Sequence, residues 1–452
     1  MNTETIFLVA VAAMVAVAVS VPFVAPSPAA DSESVDVETP DAPSVPAEAG
    51  TATVDGKQYE SVTAAAANAT PGDTVVLSGT FEEQAAILTD DITVTSGEEG
   101  AVIDGGGEGH VLNVTGSNVT VSDVWIRNSG YDTGTDDAGV FVDGEGATLQ
   151  NLHVTDILWG IYVHGVDDVT VEDSYIEGRE DILPLAERGN GIHLWETDDT
   201  LVENVTITTV RDGIYYSWAN DVETRNSTIT QSRYGVHFMY SDGNRMVDNT
   251  AVDNDVGYAL MVSKDLEIVG NEALRNTGSS GHGILVKDVD HSTVRDNVVG
   301  ENKNGIYVYN SNGNDILSNH IVNNDVGLET TAGSERQQVH GNSFLDNEVP
   351  AVSTTTSGVE AWNSTDRGNY WSSASTVDVT GDGVSDVRYR PQGIVEHVTN
   401  EHPQSEVFAD SPAFDAVRLA ESSFPVVESP GIVDHHPLVE PPHNTTRTAE
   451  RD

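Results

Sequence analysis

The sequence predicts an all-β fold, a right-handed parallel β-helix, on three observations. Glycine followed by an apolar residue recurs about every 22 residues through the middle of the chain. A second, asparagine-rich column keeps step with it. The repeat unit is rich in β-branched residues and too short to hold two packed helices.

The glycine column runs Gly139, Gly160, Gly191, Gly213, Gly235, Gly257, Gly283, Gly305 and Gly327. Its successive spacings are 21, 31, 22, 22, 22, 26, 22 and 22. The companion column is Asn151, Asp173, Asn204, Asn226, Asn249, Asn271, Asn297, Asn319 and Asn342. Both columns absorb the same two insertions, at 178–190 and 277–283, so one unit is repeated. Each unit suits one coil of a solenoid whose neighbouring coils lie about 4.8 Å apart. The residues one and three after each glycine, from Val140 and Val142 to Leu328 and Thr330, are expected to fill the interior. The asparagines are expected to stack as one amide ladder at a bend. Asn204 and Asn226 lie in N-x-S/T sequons, which a ladder position would hide from glycosylation.

Around this repeat the chain divides into four parts. Residues 6–24 are an uncharged apolar run, and SPAAD (27–31) permits cleavage after Ala29 or Ala30. Residues 1–30 are therefore a signal peptide or a membrane anchor, although the segment lacks the usual Lys or Arg before the run. Either outcome exports the rest. Residues 31–50 have the composition of a disordered acidic linker. Residues 51–362 form the β-helix, opening with a capping helix within 59–75 and a turn into the first strand. Residues 363–452 are a C-terminal extension with an Asp-rich loop, a short helix in SPAFDAVRLAESSF and a Pro-rich tail.

Composition narrows the function. The chain has no cysteine, hence no disulfide and no thiolate metal site. Its formal net charge is -53, from 73 acidic and 20 basic residues. Such a surface suits concentrated salt, where screening is nearly complete beyond about 3 Å. It excludes the basic footprint that nucleic-acid binding needs.

The stretch RYGVHFMYS (233–241) raises the chemistry. Strand alternation puts Val236 and Phe238 on one face and His237 and Met239 on the other. Along the chain this outward strip is dense in aromatic, His and Met side chains: Tyr162, His164, His193, Trp195, Tyr215, Trp218, Tyr307 and Tyr309. An exposed strip of this kind marks a binding surface. Met239 and Met261 fall one coil apart in one column, and His237 precedes Met239 by two residues. An imidazole with two thioethers is a soft donor set that suits Cu(I). His193, two coils from His237, and His282, in the second insertion, are further candidates for this copper set. Aromatic and Met strips also serve protein docking, so both uses stay open. In the extension, Asp378, Thr380, Asp382 and Asp386 alternate like calcium-loop ligands. Tyr389 stands where such a loop carries its last acidic ligand, which leaves a calcium site or a rigid acidic turn. His435 and His436 are adjacent and would point to opposite faces, a poor chelate.

GIHLWET (191–197), DGIYYSWAN (212–220), RYGVHFMYS, GNYW with TGDGVSD, and FPVV with PGIVDHHPL resemble NosD, the exported β-helix accessory family of nitrous-oxide reductase. The resemblance covers roughly residues 51–440. It implies a non-enzymatic role in supplying copper, and a sulfur species, to the reductase, together with an ABC-type ATPase and a membrane permease. It makes His237, Met239 and Met261 candidates for copper handover or reductase docking. The alternative is an extracellular β-helix that binds or degrades polysaccharide. Such an enzyme needs clustered carboxylates on a strand face. Here Asp143 and Glu329 stand isolated at the two ends of the strip.

Overall fold

In the computed structural model, the structure describes residues 48–391 apart from 133, 332 and 355–358. It also describes 37, 40, 43, 44, 395, 403–408, 411–423 and 431–442. The segment expected to be a signal peptide or anchor, and most of the linker, lie outside the described residues. Among the described residues no helix is long and apolar enough to cross a membrane.

Residues 37–391 and 430–444 form one compact unit, a right-handed parallel β-helix. Each coil contributes three strands. In one coil these are Asp212–Ser217, Glu223–Arg225 and Thr228–Thr230; in the next, Tyr234–Met239, Arg245–Val247 and Thr250–Val252. The first strand of each coil joins a sheet of 12 parallel strands, and the two shorter ones join a 25-stranded sheet. Register is held rung by rung, with Ile214 opposite Val236 and Val236 opposite Tyr258. The two predicted interior columns are buried throughout, at 0–1% exposure from Val140 to Thr330. The glycines are a steric necessity. A Cβ on Gly235 would lie 2.6 Å from the Gly257 carbonyl oxygen and 3.0 Å from the Ala251 methyl.

Both ends of the solenoid are closed. At the start, helix Val62–Ala67 buries Val62, Ala65 and Ala66. Ser61 caps it by accepting from the Ala64 N–H at 3.1 Å, as a serine before a helix is suited to do. Thr89 donates to the last turn at Ala66 O, tying the cap to the first coil. At the other end, the motifs GNYW and DHHPL prove to be partners. Buried Asp434 accepts from the Asn369 N–H at 2.7 Å, Trp371 Nε1 at 2.8 Å and the His436 N–H at 3.0 Å. Trp371 stacks on Phe344 at 4.2 Å. Gly368 is obligatory, because a Cβ there would collide with the Asp434 carboxylate.

The asparagine column departs from expectation. Asn249, Asn271, Asn297, Asn319 and Asn342 do form a buried ladder, each Nδ2 donating to the next Oδ1 at 2.9–3.1 Å, and it ends on Asn369. Asn151, Asp173, Asn204 and Asn226 are not in it. They sit one position earlier in the coil, at exposed turn sites with φ of +50 to +53°. Asn and Asp tolerate this left-handed conformation, which explains their recurrence there. The 23-residue step from Asn226 to Asn249 crosses from one column to the other. The sequons at Asn204 and Asn226 are accordingly exposed, not hidden. A second ladder, Asn254, Asn276, Asn302, Asn324 and Asn347, runs beside the first with Nδ2 to Oδ1 distances of 2.9–3.2 Å.

The second compact unit contains the described helix Pro412–Ser423, as expected for that stretch, and a short 3-10 helix over Pro403–Phe408.

Candidate functional site

The strand Tyr234–Met239 places its side chains as the alternation requires. Val236 and Phe238 enter the core; His237 and Met239 face outward. Met239 lies directly opposite Met261 on the next rung, and His237 lies opposite Tyr215 and Ala259. The expected juxtaposition of two thioethers and one imidazole on one outer face is thus present. Both Met side chains are half-buried.

The rest of the strip is not the solvent-exposed surface anticipated. Tyr162, His193, His237 and Leu285 are 4–8% exposed, and Ala259 is fully buried. The cause is a column that alternation alone does not reveal, the residue just before each glycine. The glycine interrupts the pleat, and the preceding side chain folds over the outer face. Trp159 stacks on Tyr162 at 5.6 Å and on His193 at 4.9 Å. Tyr234 sets its edge against His237 at 4.8 Å. Val256 packs with Ala259 and Leu285. These outer clusters are separate from the solenoid core. The signal for them was a bulky or charged residue recurring before glycine, at Trp159, Asp212, Tyr234 and His282.

Asp212, from this column, supplies the electrostatics. Its side chain is 1% exposed and accepts from His237 Nδ1 at 3.0 Å. Arg233 grips the same carboxylate with Nε at 2.8 Å and Nη2 at 2.6 Å. Burial pushes the Asp212 pKa up, but the hydrogen bonds and charges of His237 and Arg233 outweigh it and hold it below the usual value. An ionised carboxylate only accepts, so the proton of His237 resides on Nδ1. In the neutral imidazole this leaves the lone pair on Nε2, which is buried without a hydrogen-bond partner. A carboxylate behind an imidazole is the arrangement that orients a histidine for metal binding.

His193 is not brought to this group. Tyr215 lies between it and His237, with ring separations of 4.9 and 4.7 Å. His193 is caged among Trp159, Tyr162 and Tyr215 with both nitrogens unpartnered. Burial depresses its pKa to about 3, so it is neutral. His282 folds over the outer face two rungs beyond His237, so it is not brought to this group either. It opens the strand His282–Asp290, opposite Asn304, and stacks on Tyr307 at 4.7 Å. Burial lowers its pKa to about 4. Among the described residues no group of three or more His, Asp or Glu side chains could hold a metal ion. The methionine pair with His237 is the remaining soft set.

The exposed part of the strip is its far edge. Trp218 and Tyr240 are each 47% exposed, and Tyr309 is 42%. His164 is exposed, while Trp195, Tyr215 and Tyr307 are partly buried. Trp218 stacks on Tyr240 at 5.2 Å and meets Trp195 edge-on at 5.5 Å. Trp218 and Tyr240 have φ of +51° and +55°. Other rungs place Gly165, Glu196, Val262, Asp288 and Asn310 at this left-handed position, so it belongs to the coil as such, and the glycine, aspartate and asparagine suit it best. Bulky side chains there are strained, at about 1–3 kcal/mol each. Tyr240 was not among the expected face residues.

In the Asp-rich loop, the carboxylates are engaged by the loop itself. Asp378 accepts from the Gly381 and Gly383 N–H groups at 2.6 and 2.9 Å. Asp382 accepts from the Val384 N–H at 3.0 Å, and Asp386 from the Val379 N–H at 2.7 Å. Thr380 donates weakly to Asp378.

Comparison with known proteins decides the family. A family model described as periplasmic copper-binding protein (NosD) matches residues 172–376. A Pseudomonas aeruginosa protein, "Probable ABC transporter binding protein NosD", is 39% identical over 76% of this chain and 83% of its own length. Its Stutzerimonas stutzeri counterpart is 36% identical over 78% and 84%. The chain belongs to the NosD family. The region matching the NosD model holds Asp212, Arg233, His237, Met239 and Met261, together with Trp195, Trp218 and Tyr240. Among solved structures, the Streptococcus pneumoniae adhesin PfbA has a TM-score of 0.47 at 12% identity, covering 60% of this chain and 82% of the adhesin. The A-module of the Azotobacter vinelandii mannuronan C-5 epimerase AlgE6 has a TM-score of 0.49 at 16% identity, covering 69% of this chain and 91% of the module.

Proposed function

We propose that this NosD-family chain is an exported, non-enzymatic accessory protein that carries Cu(I) for the maturation of nitrous-oxide reductase. The ion is cargo, held by His237 Nε2 and the thioethers of Met239 and Met261. One observation carries this reading: the two methionines are paired in register beside an imidazole whose second nitrogen is already tied to a buried carboxylate. Strand geometry puts the Met239 and Met261 backbones about 4.8 Å apart and those of His237 and Met239 about 6.6 Å apart. Flexible thioethers can close those gaps, and three soft donors with no hard anion favour Cu(I) over Mg²⁺ or Ca²⁺. The family description as periplasmic and copper-binding, and the relatives' naming as ABC transporter binding proteins, support export and an ATPase–permease partner.

The reductase is assigned to the exposed aromatic edge. Trp218 and Tyr240 stack on each other with their rings half in water, beside Trp195. Clustered aromatic rings left exposed in this way mark a surface for contact with another molecule.

Cu(I) titration of the protein against a competing chelator tests the site. Stoichiometric binding is expected, abolished in His237→Ala and in the Met239→Leu/Met261→Leu double variant. Undiminished binding in either variant would reject this ligand set. Absence of binding in the parent would reject copper as cargo and leave the edge as a docking face for a differently loaded partner.

A further inference from the structure

A lysine stands next in line to the methionine pair. Up the outer face, Met239, Met261, Lys287 and Tyr309 occupy one column in register, each one rung from the next. Beside them Val256, Ala259 and Leu285 form a buried apolar cluster, against which Met261 and Tyr307 pack. Lys287 is half-buried at the border of this cluster. The chain has four lysines. Lys264 pairs with Asp242 at 3.7 Å, and Lys303 donates to the Gly278 carbonyl at 2.5 Å. Lys287 has no ion-pair or hydrogen-bond partner among the described residues. Asp288, next in the chain, sits at the left-handed turn and accepts from Asn310 Nδ2. In a chain of net charge -53, acidic partners are plentiful, so a half-buried cation left without one is conspicuous.

Charge accounting says what it could hold. The His237 imidazole and the two thioethers are neutral donors, and Asp212 is already matched by Arg233. Copper held there adds a positive charge to that of Lys287, whose backbone is one rung, about 4.8 Å, from that of Met261. Apolar surroundings screen such repulsion less than water does. We propose that Lys287 and the bound Cu(I) hold a halide between them, as the fourth ligand of the ion. This rests on the copper reading above. Three neutral donors leave Cu(I) a position to fill, and a halide is soft enough to fill it. The lysine ammonium turns its three donors on a flexible stem, which suits a spherical anion better than a fixed fork does. Chloride is the halide at hand in the concentrated salt that this surface suits. The cargo then travels with its counter-ion, and loading rises with halide.

Bromide is the probe, because its heavy nucleus scatters distinctly at the copper absorption edge. The full-length protein is loaded with one equivalent of Cu(I) in molar sodium bromide, beside Lys287→Leu and Lys287→Arg. X-ray absorption fine structure should show one bromide on each copper in the parent and in Lys287→Arg, and none in Lys287→Leu. In the chelator competition, replacing nitrate by bromide at equal ionic strength should favour copper binding to the parent over Lys287→Leu by about tenfold. Complexation of free copper by bromide is common to both and cancels in the ratio. Bromide on the copper of Lys287→Leu, or copper in the parent held by protein atoms alone, would overturn the halide and leave the copper reading standing. A parent that takes up no copper would overturn both.

Discussion

Asn297→Ala and Asn226→Ala separate the buried ladder from the turn column. Asn297 Oδ1 accepts from the Asn271 N–H at 2.8 Å and Asn271 Nδ2 at 3.1 Å. Its Nδ2 donates to Ile268 O and Asn319 Oδ1, both at 2.9 Å. The residue is 1% exposed, so water does not replace these partners in the native state. Four hydrogen bonds at about 1 kcal/mol each come to roughly 4 kcal/mol. Stranding the Asn271 N–H raises this, and a water entering the vacated space lowers it; a loss of about 3–5 kcal/mol is expected. Asn226, exposed at φ +53°, should cost only the left-handed penalty of alanine, about 1 kcal/mol. Urea denaturation in molar salt, followed by tryptophan fluorescence, measures both. Hydrogen exchange at the Asn271 amide localises the effect. Equal losses in the two variants, or a larger loss at Asn226, would refute the division of the column.

Three further outcomes follow from the site. Asp212→Asn keeps the shape but removes the charge that sets the His237 tautomer, so Cu(I) affinity should fall about 10–100-fold in the chelator competition; an unchanged affinity would show that Asp212 does not orient the ligand. Trp218→Gly should be more stable than Trp218→Ala by about 1 kcal/mol in the same urea assay, the reverse of the usual order, because only alanine is strained by the left-handed backbone; both variants should bind the reductase more weakly in a pull-down. His193 has a pKa of about 3 in the fold against 6.5 for an ordinary histidine, so the unfolded chain takes up a proton that the folded chain refuses. Stability should therefore fall as pH drops from about 6.5 toward 3, by about 2–3 kcal/mol at pH 4.5. Comparison with His193→Phe isolates this from the many carboxylates; a parent and variant that weaken in parallel would sink it.

The repeat carries most of what was legible in the chain by itself. A 22-residue period with glycine at one point fixes strand parity, so both interior columns and the pairing of Met239 with Met261 follow from the order of residues alone. The capping helix, the C-terminal helix and the family resemblance were equally local in their signals. Tertiary structure decided what periodicity averages away. A glycine that breaks the pleat turns the preceding residue outward, and this hid Asp212, Trp159 and Tyr234 from an alternation argument and buried a strip expected to face water. One residue of phase separates an exposed left-handed turn from a buried amide ladder, and asparagine suits both, so composition could not tell Asn226 from Asn249. The closure of the last coil by Asp434 joins segments 63 residues or more apart. Pairing over such a separation leaves no periodic trace, because it is chosen by the shape of the solenoid's end and not by the chain's local preferences.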